Sequence, residues 1–302
     1  MELRELEYFQ EVCRTGSFTR AAANLYVAQP CITNAIRKLE AELSVQLLNR
    51  TNKTVSITPE GQLFLERITA LLSMAGEITQ EMRDLNTLSR GSLKLGVPPQ
   101  ICANLFPSLF MEFGAIYPNL NLSVFEEGSV ATISLLEKGE LDVGIVILPD
   151  ATPELNTRPI RQEPIVLCVS PQHPLSGQAM VDFAELKDEK FILRQTDSFH
   201  RDIVIHQCHI HGFTPNIVFS SNQVQTIKSM VAKNVGIAFF MEMVVKEDRN
   251  IVAIPLQDPL SVTIGLAWKK GRYTSKAALA FIDFATAKSQ HPAPVADIGL
   301  CL

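Results

Sequence analysis

The sequence predicts a multidomain α+β protein, in which a small N-terminal helical domain is joined by one long helix to a larger α/β domain. Three observations support this fold class. Apolar residues repeat at helical spacing through residues 3–43, a longer helical repeat runs through residues 59–88, and strands alternate with helices from Leu93 onward. The chain has 302 residues, 46% of them hydrophobic, which is enough for two or three domains with substantial cores.

The N-terminal domain, residues 1–58, contains three predicted helices. The first has apolar residues at Leu3, Leu6, Phe9, Val12 and Cys13. The second covers residues 18–25, where three consecutive alanines allow two helices to cross closely. After a turn at residues 26–29, the third buries a stripe formed by Ile32, Ile36, Leu39 and Leu43. This arrangement predicts a helix-turn-helix whose second helix enters the major groove of double-stranded DNA.

The polar face of that helix carries the predicted base and phosphate contacts. Short polar groups suit base edges and phosphates, and a guanidinium suits guanine or backbone oxygens. The predicted contacts are Pro30, Thr33, Asn34, Arg37 and Lys38. The pattern alone leaves open a surface amphipathic helix of an all-α domain.

A two-stranded wing is predicted after this helix. Residues 51–54 are turn-like, and Val55 and Ile57 alternate with polar residues as in a short strand. Arg50, Thr51 and Lys53 are then placed to reach backbone phosphate.

Residues 59–90 are predicted to form a linker helix that begins with Thr58 as N-cap and Pro59 at the first position. Its apolar positions have the spacing of a coiled-coil seam and are Phe64, Ile68, Leu71, Ala75, Ile78, Met82 and Leu85. Since the sequence offers no obvious partner helix in the same chain, the seam predicts a homodimer. A dimer would present two recognition helices to a palindromic operator.

In the regulatory part, residues 91–302, strands alternate with helices from Leu93 onward. Strands at 93–97, 122–125 and 141–147, joined by a helix that ends at Ile116 and another that ends at Lys138, show the βαβ pattern of a parallel sheet covered by helices. A second set of strands and helices starts near Ile165, and Asn234 is predicted as a left-handed helix C-cap. Residues 290–302 show no periodicity and are predicted to be a loose tail.

Charge and composition limit the class of protein. The net charge is −5, and residues 1–60 contain seven basic and seven acidic residues, so DNA binding must rest on a local basic cluster. No apolar run reaches membrane-spanning length and the N-terminus does not resemble a signal peptide, which predicts a cytoplasmic protein without a membrane partner. The six cysteines form no CxxC pair.

The motif LEYFQEVCRTGSFTRAAANLYVAQPCITNAIRKLEAELSVQLLNR, followed by ITPEG, closely resembles the LysR-type transcriptional regulators, and the resemblance covers residues 1–289. It implies a periplasmic-binding-like regulatory domain of two subdomains, residues 91–162 with 266–289 and residues 163–265. It also implies a small-molecule effector, homodimers or homotetramers, and RNA polymerase as a further partner. The implied DNA contacts are Gln29, Pro30, Thr33, Asn34 and Arg37, with Arg50 and Thr51 in the wing.

Two residues depart from the family pattern. Ala28 stands where the family usually has a serine that caps the recognition helix, and Asn34 stands where it often has an arginine. The first departure should cost roughly 1 kcal/mol of local stability. The second leaves the base preference open.

The regulatory domain is predicted to bind an anionic metabolite beyond the carboxyl ends of its strands, where helix N-termini favour negative charge. A carboxylate with an aromatic or aliphatic body would suit the apolar rim, and no arginine is near in the sequence. Each polar residue could instead be a helix cap. The predicted effector contacts are Pro99, Gln100, Ile101, Cys102, Ser129, Leu148, Phe199, His200, Asn222 and Gln223.

The sequence disfavours three alternatives to an anion-responsive regulator. A metal site at His206, Cys208, His209 and His211 is disfavoured, since only residues three or four apart share a helix face. Arg201-Asp202 resembles the peroxide-sensing branch, but Phe199 occupies the position of its reactive cysteine. An α/β enzyme with a fused helix-turn-helix is disfavoured because the chain has no nucleotide-binding or hydrolase motif, and no cofactor is expected.

Overall fold

The computed structural model describes residues 1–50, 55–84, 91–195 and 198–290. The chain divides into two compact units, Met1–Asn86 and Thr87–Leu302. Each unit has its own hydrophobic core.

The first unit is a winged helix-turn-helix followed by a long helix, as predicted. A core of Phe9, Val12, Ile32, Ile36 and Leu39, all completely buried, joins its first three helices. The two wing strands pair antiparallel. The elements are α1 (Leu3–Thr15), α2 (Phe18–Asn24), α3 (Gln29–Leu43), β1 (Leu48–Arg50), β2 (Val55–Ile57) and α4 (Pro59–Asp84).

The apolar positions predicted as one seam on α4 lie in two different environments. Phe64 lies with its ring centroid 5.4 Å from that of Phe9 in α1, and Ile68 is 3% exposed. The expectation that α4 has no partner in its own chain is therefore wrong for its first turns. Further along the helix, Leu71, Ile78 and Met82 are 42%, 57% and 52% exposed. Leu85 lies outside the described residues.

The second unit alternates strands and helices. Two of its helices, α5 and α6, replace the single helix predicted before Ile116, and β10 and α10 were not predicted. The elements are β3 (Ser92–Gly96), α5 (Pro99–Asn104), α6 (Phe106–Ile116), β4 (Asn121–Phe125), α7 (Ser129–Glu137), β5 (Val143–Ile147), β6 (Leu155–Val169), β7 (Lys190–Leu193), α8 (Phe199–Ile210), β8 (Asn216–Ser220), α9 (Val224–Ala232), β9 (Ala238–Met241), α10 (Glu242–Val245), β10 (Val252–Ile254), β11 (Leu260–Lys269) and α11 (Lys276–Gln290).

The main sheet is mixed. Its strands β3, β4 and β5 are parallel, which confirms the βαβ pattern predicted for them, and antiparallel strands that were not predicted as such extend the sheet beyond β5. Its strand order is β10-β6-β11-β5-β3-β4, with β9 also paired to β6. Strand β3 runs parallel to β4 and β5, whereas β11 is antiparallel to both β5 and β6. A separate parallel pair is formed by β7 and β8.

Strand β6 starts ten residues earlier than the predicted strand at Ile165. It pairs with β11 from Leu155↔Lys269 to Ile165↔Leu260. Exposed Arg161 and Gln162 and two prolines interrupt the apolar pattern of this strand in the sequence. The buried half of β6, from Ile165 to Val169, is the part that hydrophobicity reveals.

Asn234 has a φ of +56°, as predicted for a left-handed residue after α9. Of greater functional importance are the strand ends. The chain enters α5 after β3, α7 after β4, α8 after β7 and α9 after β8, so four helices start near the carboxyl ends of strands.

Candidate nucleic-acid interface and ligand cleft

The outward face of α3 presents polar side chains above a buried apolar stripe. Asn34 and Arg37 are exposed, and Ile36 between them is completely buried. Gln29 and Pro30 are exposed in the first turn, and the Gln29 amide donates to Thr33 Oγ1 at 2.8 Å. The predicted residues therefore form one continuous surface on one helix, as groove binding requires.

Lys38 has a different environment from its predicted neighbours. Its ammonium lies 2.6 Å from Glu5 Oε1 and 3.6 Å from Glu2 Oε1, both in or beside α1. The hydrogen bond from Lys38 is the main reason why the pKa of the Glu5 carboxyl is below its ordinary value, and the same bond raises the pKa of Lys38. Lys38 thus holds α3 against α1, a role that its place beside Arg37 did not indicate.

The wing is described at its strands. Arg50 ends β1, paired with Val55, but its side chain and the residues Thr51 and Lys53 lie outside the described part of the structure. The N-cap of α3 is Ala28, which provides no side-chain hydrogen bond, as its sequence predicts.

A cleft of about 610 Å³ opens in the second unit where α5 and α9 begin. Four of the predicted effector contacts line it, namely Pro99, Gln100, Asn222 and Gln223. An inner cavity of about 20 Å³ adjoins it and shares Gln100, Gly128 and Arg194 with it. Predicted residues that line this inner cavity are Gln100, Ile101, Ser129, Phe199 and His200.

Cys102 and Leu148 line neither cavity. Cys102 packs against the main core, and burial raises the pKa of its thiol to about 11, with a further contribution from Glu126. Leu148 packs with Leu136 and Val146 in a smaller apolar cluster.

Three helices start at the cleft without a side-chain N-cap. Gly128, Ser198 and Gln223 precede α7, α8 and α9, and none of them accepts a capping hydrogen bond through its side chain. Among the predicted polar contacts, Gln223 occupies an N-cap position, and the interpretation of it as an ordinary cap is not supported. The amides of a first helical turn have no intrahelical acceptor, and they favour an anion in such a position.

Buried polar atoms in the cleft lack partners. Gln100 and His200 are each 4% exposed, and neither Gln100 Nε2 nor His200 Nε2 has a hydrogen-bond partner among the described residues. Asn222 Oδ1 is in the same condition, although its amide donates to Gln195 Oε1 at 3.0 Å. An unpaired buried polar group costs about 1–3 kcal/mol, so these atoms favour a ligand that supplies the missing partners.

Ser129 and His200 are each constrained by their surroundings. Ser129 Oγ accepts a hydrogen bond from the amide of Ile147 at 3.1 Å, and its hydroxyl proton is the group that it can donate to an anion. Burial, and secondarily the charge of Arg194, lowers the pKa of His200 to about 4. The imidazole is therefore neutral at neutral pH.

Charged residues of the cleft were missed in the sequence. Arg194 lines both cavities, which corrects the expectation that no arginine is near. It directly follows β7, so the rule that selected the other strand ends could have found it. Lys228 also lines the outer cleft, where it pairs with Asp248 at 3.1 Å, and Glu126 and Glu127 lie on the same lining.

The alternative sensor residues form no site in the described part of the chain. Cys208 is completely buried, and burial raises the pKa of its thiol to about 12, so a reactive thiolate is disfavoured. His206 and His209 are exposed, whereas His211 stacks on Phe183 at 5.4 Å. Among the described residues, no three His, Cys, Asp or Glu side chains are grouped as metal ligands.

Within the same residues, no helix is both long and apolar enough to cross a membrane.

Each of the two units matches a known protein family. Residues 3–62 match the family "Bacterial regulatory helix-turn-helix protein, lysR family", and residues 86–290 match "LysR substrate binding domain". The second match alone spans more than half of the chain.

Similar proteins align along nearly the full length. The HTH-type transcriptional regulator YwbI of Bacillus subtilis is 32% identical, over 94% of this chain and 95% of its own. The regulator BenM of Acinetobacter baylyi is 30% identical, over 87% and 88% of the two chains. A full-length OxyR variant from Pseudomonas aeruginosa has a similar structure, with a TM-score of 0.73, 26% identity and 94% coverage of both chains.

Proposed function

Since this chain belongs to the family of LysR-type transcriptional regulators, we propose that α3 and the wing read its operator and that the cleft binds the metabolite that controls it. The family consists of DNA-binding regulators with an effector-binding domain. Membership confirms the predicted class and excludes the alternative of an enzyme with a fused helix-turn-helix.

The exposed face of α3 carries the proposal for DNA. Arg37 is exposed and makes no hydrogen bond or ion pair within the described residues, so its guanidinium is available to a base or phosphate. Gln29, Pro30, Thr33 and Asn34 lie on the same helix, and Arg50, Thr51 and Lys53 are proposed as wing contacts.

A gel-shift titration with the DNA upstream of the protein's own gene tests this proposal. Arg37→Ala should weaken binding roughly 10- to 100-fold, corresponding to the 1–3 kcal/mol of a base contact. Lys38→Ala is the matched control, since its ammonium already pairs with Glu5, and it should have the smaller effect. Unchanged affinity in Arg37→Ala at physiological salt would refute the placement.

The unpaired atoms Gln100 Nε2 and His200 Nε2 carry the proposal for the effector. Both line the inner cavity beside Arg194 and the start of α7, where a carboxylate would accept hydrogen bonds. Phe199, Ile101 and Met241 provide apolar walls for the rest of the molecule. The proposed effector is therefore an anion with an aliphatic or aromatic body.

A thermal-shift screen of metabolite carboxylates tests the site. At 100-fold excess over its Kd, a true effector should add about 2.7 kcal/mol of stability. Gln100→Met should reduce that gain without disturbing the fold, because Gln100 Nε2 has no internal partner to lose. Gln257→Met, an exposed position outside the cleft, is the control. Equal stabilisation of both variants would exclude the site.

Self-association through α4 is the last part of the proposal. Leu71, Met74, Ile78 and Met82 are exposed along the helix beyond its contact with α1. Replacing Leu71 and Ile78 with Lys should produce monomers in light scattering, because like charges would meet in the seam. A homotetramer, contact with RNA polymerase and a cytoplasmic location stay predictions from the sequence and the family resemblance.

A further inference from the structure

Glu40 is an acidic residue at an unfavourable place on α3. It lies in the last turn, where the helix dipole is negative and where this helix has no basic residue. A carboxylate there loses free energy unless another interaction compensates.

Glu40 holds the start of the wing. Its Oε1 accepts the backbone N–H of Leu47 at 3.0 Å and that of Leu48, the first residue of β1, at 3.2 Å. Both leucines are 1% exposed, so few other acceptors can reach these amides. The backbone carbonyl of Glu40 also accepts the N–H of Val45 at 3.1 Å, at a turn where Ser44 has a φ of +55°. One residue thus ends the recognition helix and anchors the strand that follows it.

The same wing residue is held from the other side by α4. The Leu47 carbonyl accepts the N–H of Thr58, the N-cap of α4, at 3.0 Å. Gly61 approaches this carbonyl so closely that a Cβ at position 61 would overlap the oxygen. The backbone of Leu47 is therefore fixed by α3 through its N–H and by the start of α4 through its carbonyl.

We infer that Glu40 is a positioning residue for operator recognition, which sets the wing relative to α3 so that both contact DNA as one surface. It touches no DNA itself. The inference rests on the proposed function, because it assumes that α3 and the wing bind the operator together. Without the carboxylate, α3 keeps its polar face, but the wing loses its fixed distance from it.

Operator binding by the full-length protein, measured over a range of salt concentrations, tests this role. Each phosphate contact contributes about −0.9 to the slope of log affinity against log salt. Glu40→Ala should lose about tenfold in affinity, give a shallower slope and lose footprint protection at the flank of the operator. Glu40→Gln should restore most of the affinity, the salt slope and the footprint protection, since its amide oxygen can accept the same two N–H groups.

Glu42→Ala is the matched control on the same turn of α3. Its carboxylate pairs with the exposed amine of Met1 at 2.7 Å and makes no hydrogen bond or ion pair with the described wing residues, so affinity and slope should match the wild type. If Glu40→Ala fails to fold, Glu40→Asp, which keeps the charge but withdraws the oxygen, replaces it with the same expectations.

An unchanged salt slope in the folded Glu40 variant, or a Glu40→Gln as impaired as Glu40→Ala, overturns the positioning role. Arg37→Ala separates this failure from that of the proposed function. If Arg37→Ala weakens binding while the Glu40 variants keep the wild-type slope, only the positioning role is wrong. If neither changes binding, both are wrong.

Discussion

The polar face of α3 and the ligand cleft differ in how their polar groups are satisfied. On α3, Asn34 and Arg37 are exposed to water, Thr33 bonds to Gln29 and Lys38 bonds to Glu5. In the cleft, by contrast, buried nitrogens such as Gln100 Nε2 have no hydrogen-bond partner in the part of the chain that the structure describes. The polar groups of the first surface are satisfied before DNA binds, whereas those of the second would be satisfied by the proposed ligand. Binding should therefore stabilise the second unit more than the first.

The largest test of this comparison changes the rigid frame beneath the first surface. Gly61→Ala should destabilise the first unit by about 3 kcal/mol, since overpacking at a fixed backbone allows little relaxation. The added Cβ would overlap the Leu47 carbonyl and lie 2.9 Å from Ile57 Cγ1. Differential scanning calorimetry of the full chain should show the loss in the transition of the first unit alone.

Gly76→Ala is the matched control for this change. It lies in the same helix, and nothing is within 4 Å of a Cβ built there. It should be neutral or stabilising by up to about 1 kcal/mol, the ordinary gain of alanine over glycine in a helix. Equal unfolding temperatures for the two variants would contradict the close approach at Gly61.

The two surfaces also differ in how far the sequence predicts them. The face of α3 follows from the periodicity of one helix, because its residues are neighbours along the chain. The pairing of Lys38 with Glu5 depends on how α1 crosses α3, which periodicity does not specify. Strand β6 was recognised only in its buried half, since its first residues are polar on the exposed side.

In the cleft, the rule about strand ends brought together residues that are far apart in sequence, such as Gln100 and His200. It does not say which way a side chain points, so it included Cys102 and Leu148, which pack into apolar clusters. Arg194 was missed because the predicted strand included it, whereas β7 ends at Leu193 and Arg194 is the first residue after it. The pKa of His200 depends on tertiary burial and had no signal in the sequence.

The second test uses pH to change the charge of His200, a buried residue of the cleft. His200 has a folded-state pKa of about 4, below the 6.5 of an unperturbed imidazole. The unfolded chain therefore binds the proton more readily, so the stability from neutral His200 is complete above pH 6.5 and is lost as pH falls towards 4. Between pH 7.5 and pH 5, the loss should be about 2 kcal/mol. Urea unfolding at the two pH values measures it.

His200→Gln should remove this part of the pH dependence, because glutamine does not titrate. Other groups also titrate in this range, so the informative quantity is the difference between variant and wild type. His206→Gln, at an exposed position of the same helix, should keep the wild-type dependence. Parallel curves for wild type and His200→Gln would show that His200 is not buried in its neutral form.

The smallest test adds a side-chain N-cap to α3. Ala28 is the N-cap of α3, has an extended backbone and makes no side-chain cap. A serine there would offer its oxygen to the amide of Cys31, because Pro30 has no N–H to accept from. That amide already bonds to the Ala28 carbonyl at 2.9 Å, so the gain from Ala28→Ser should be only about 0.5 kcal/mol, the lower end for an N-cap.

Ala28→Gly is the control, since it relaxes the backbone without adding an acceptor. Serine should raise the unfolding temperature of the first unit above that of glycine and leave operator affinity unchanged. If serine strengthens operator binding severalfold instead, α3 is not fully ordered before DNA binds, and the two surfaces are more alike than their hydrogen bonds indicate.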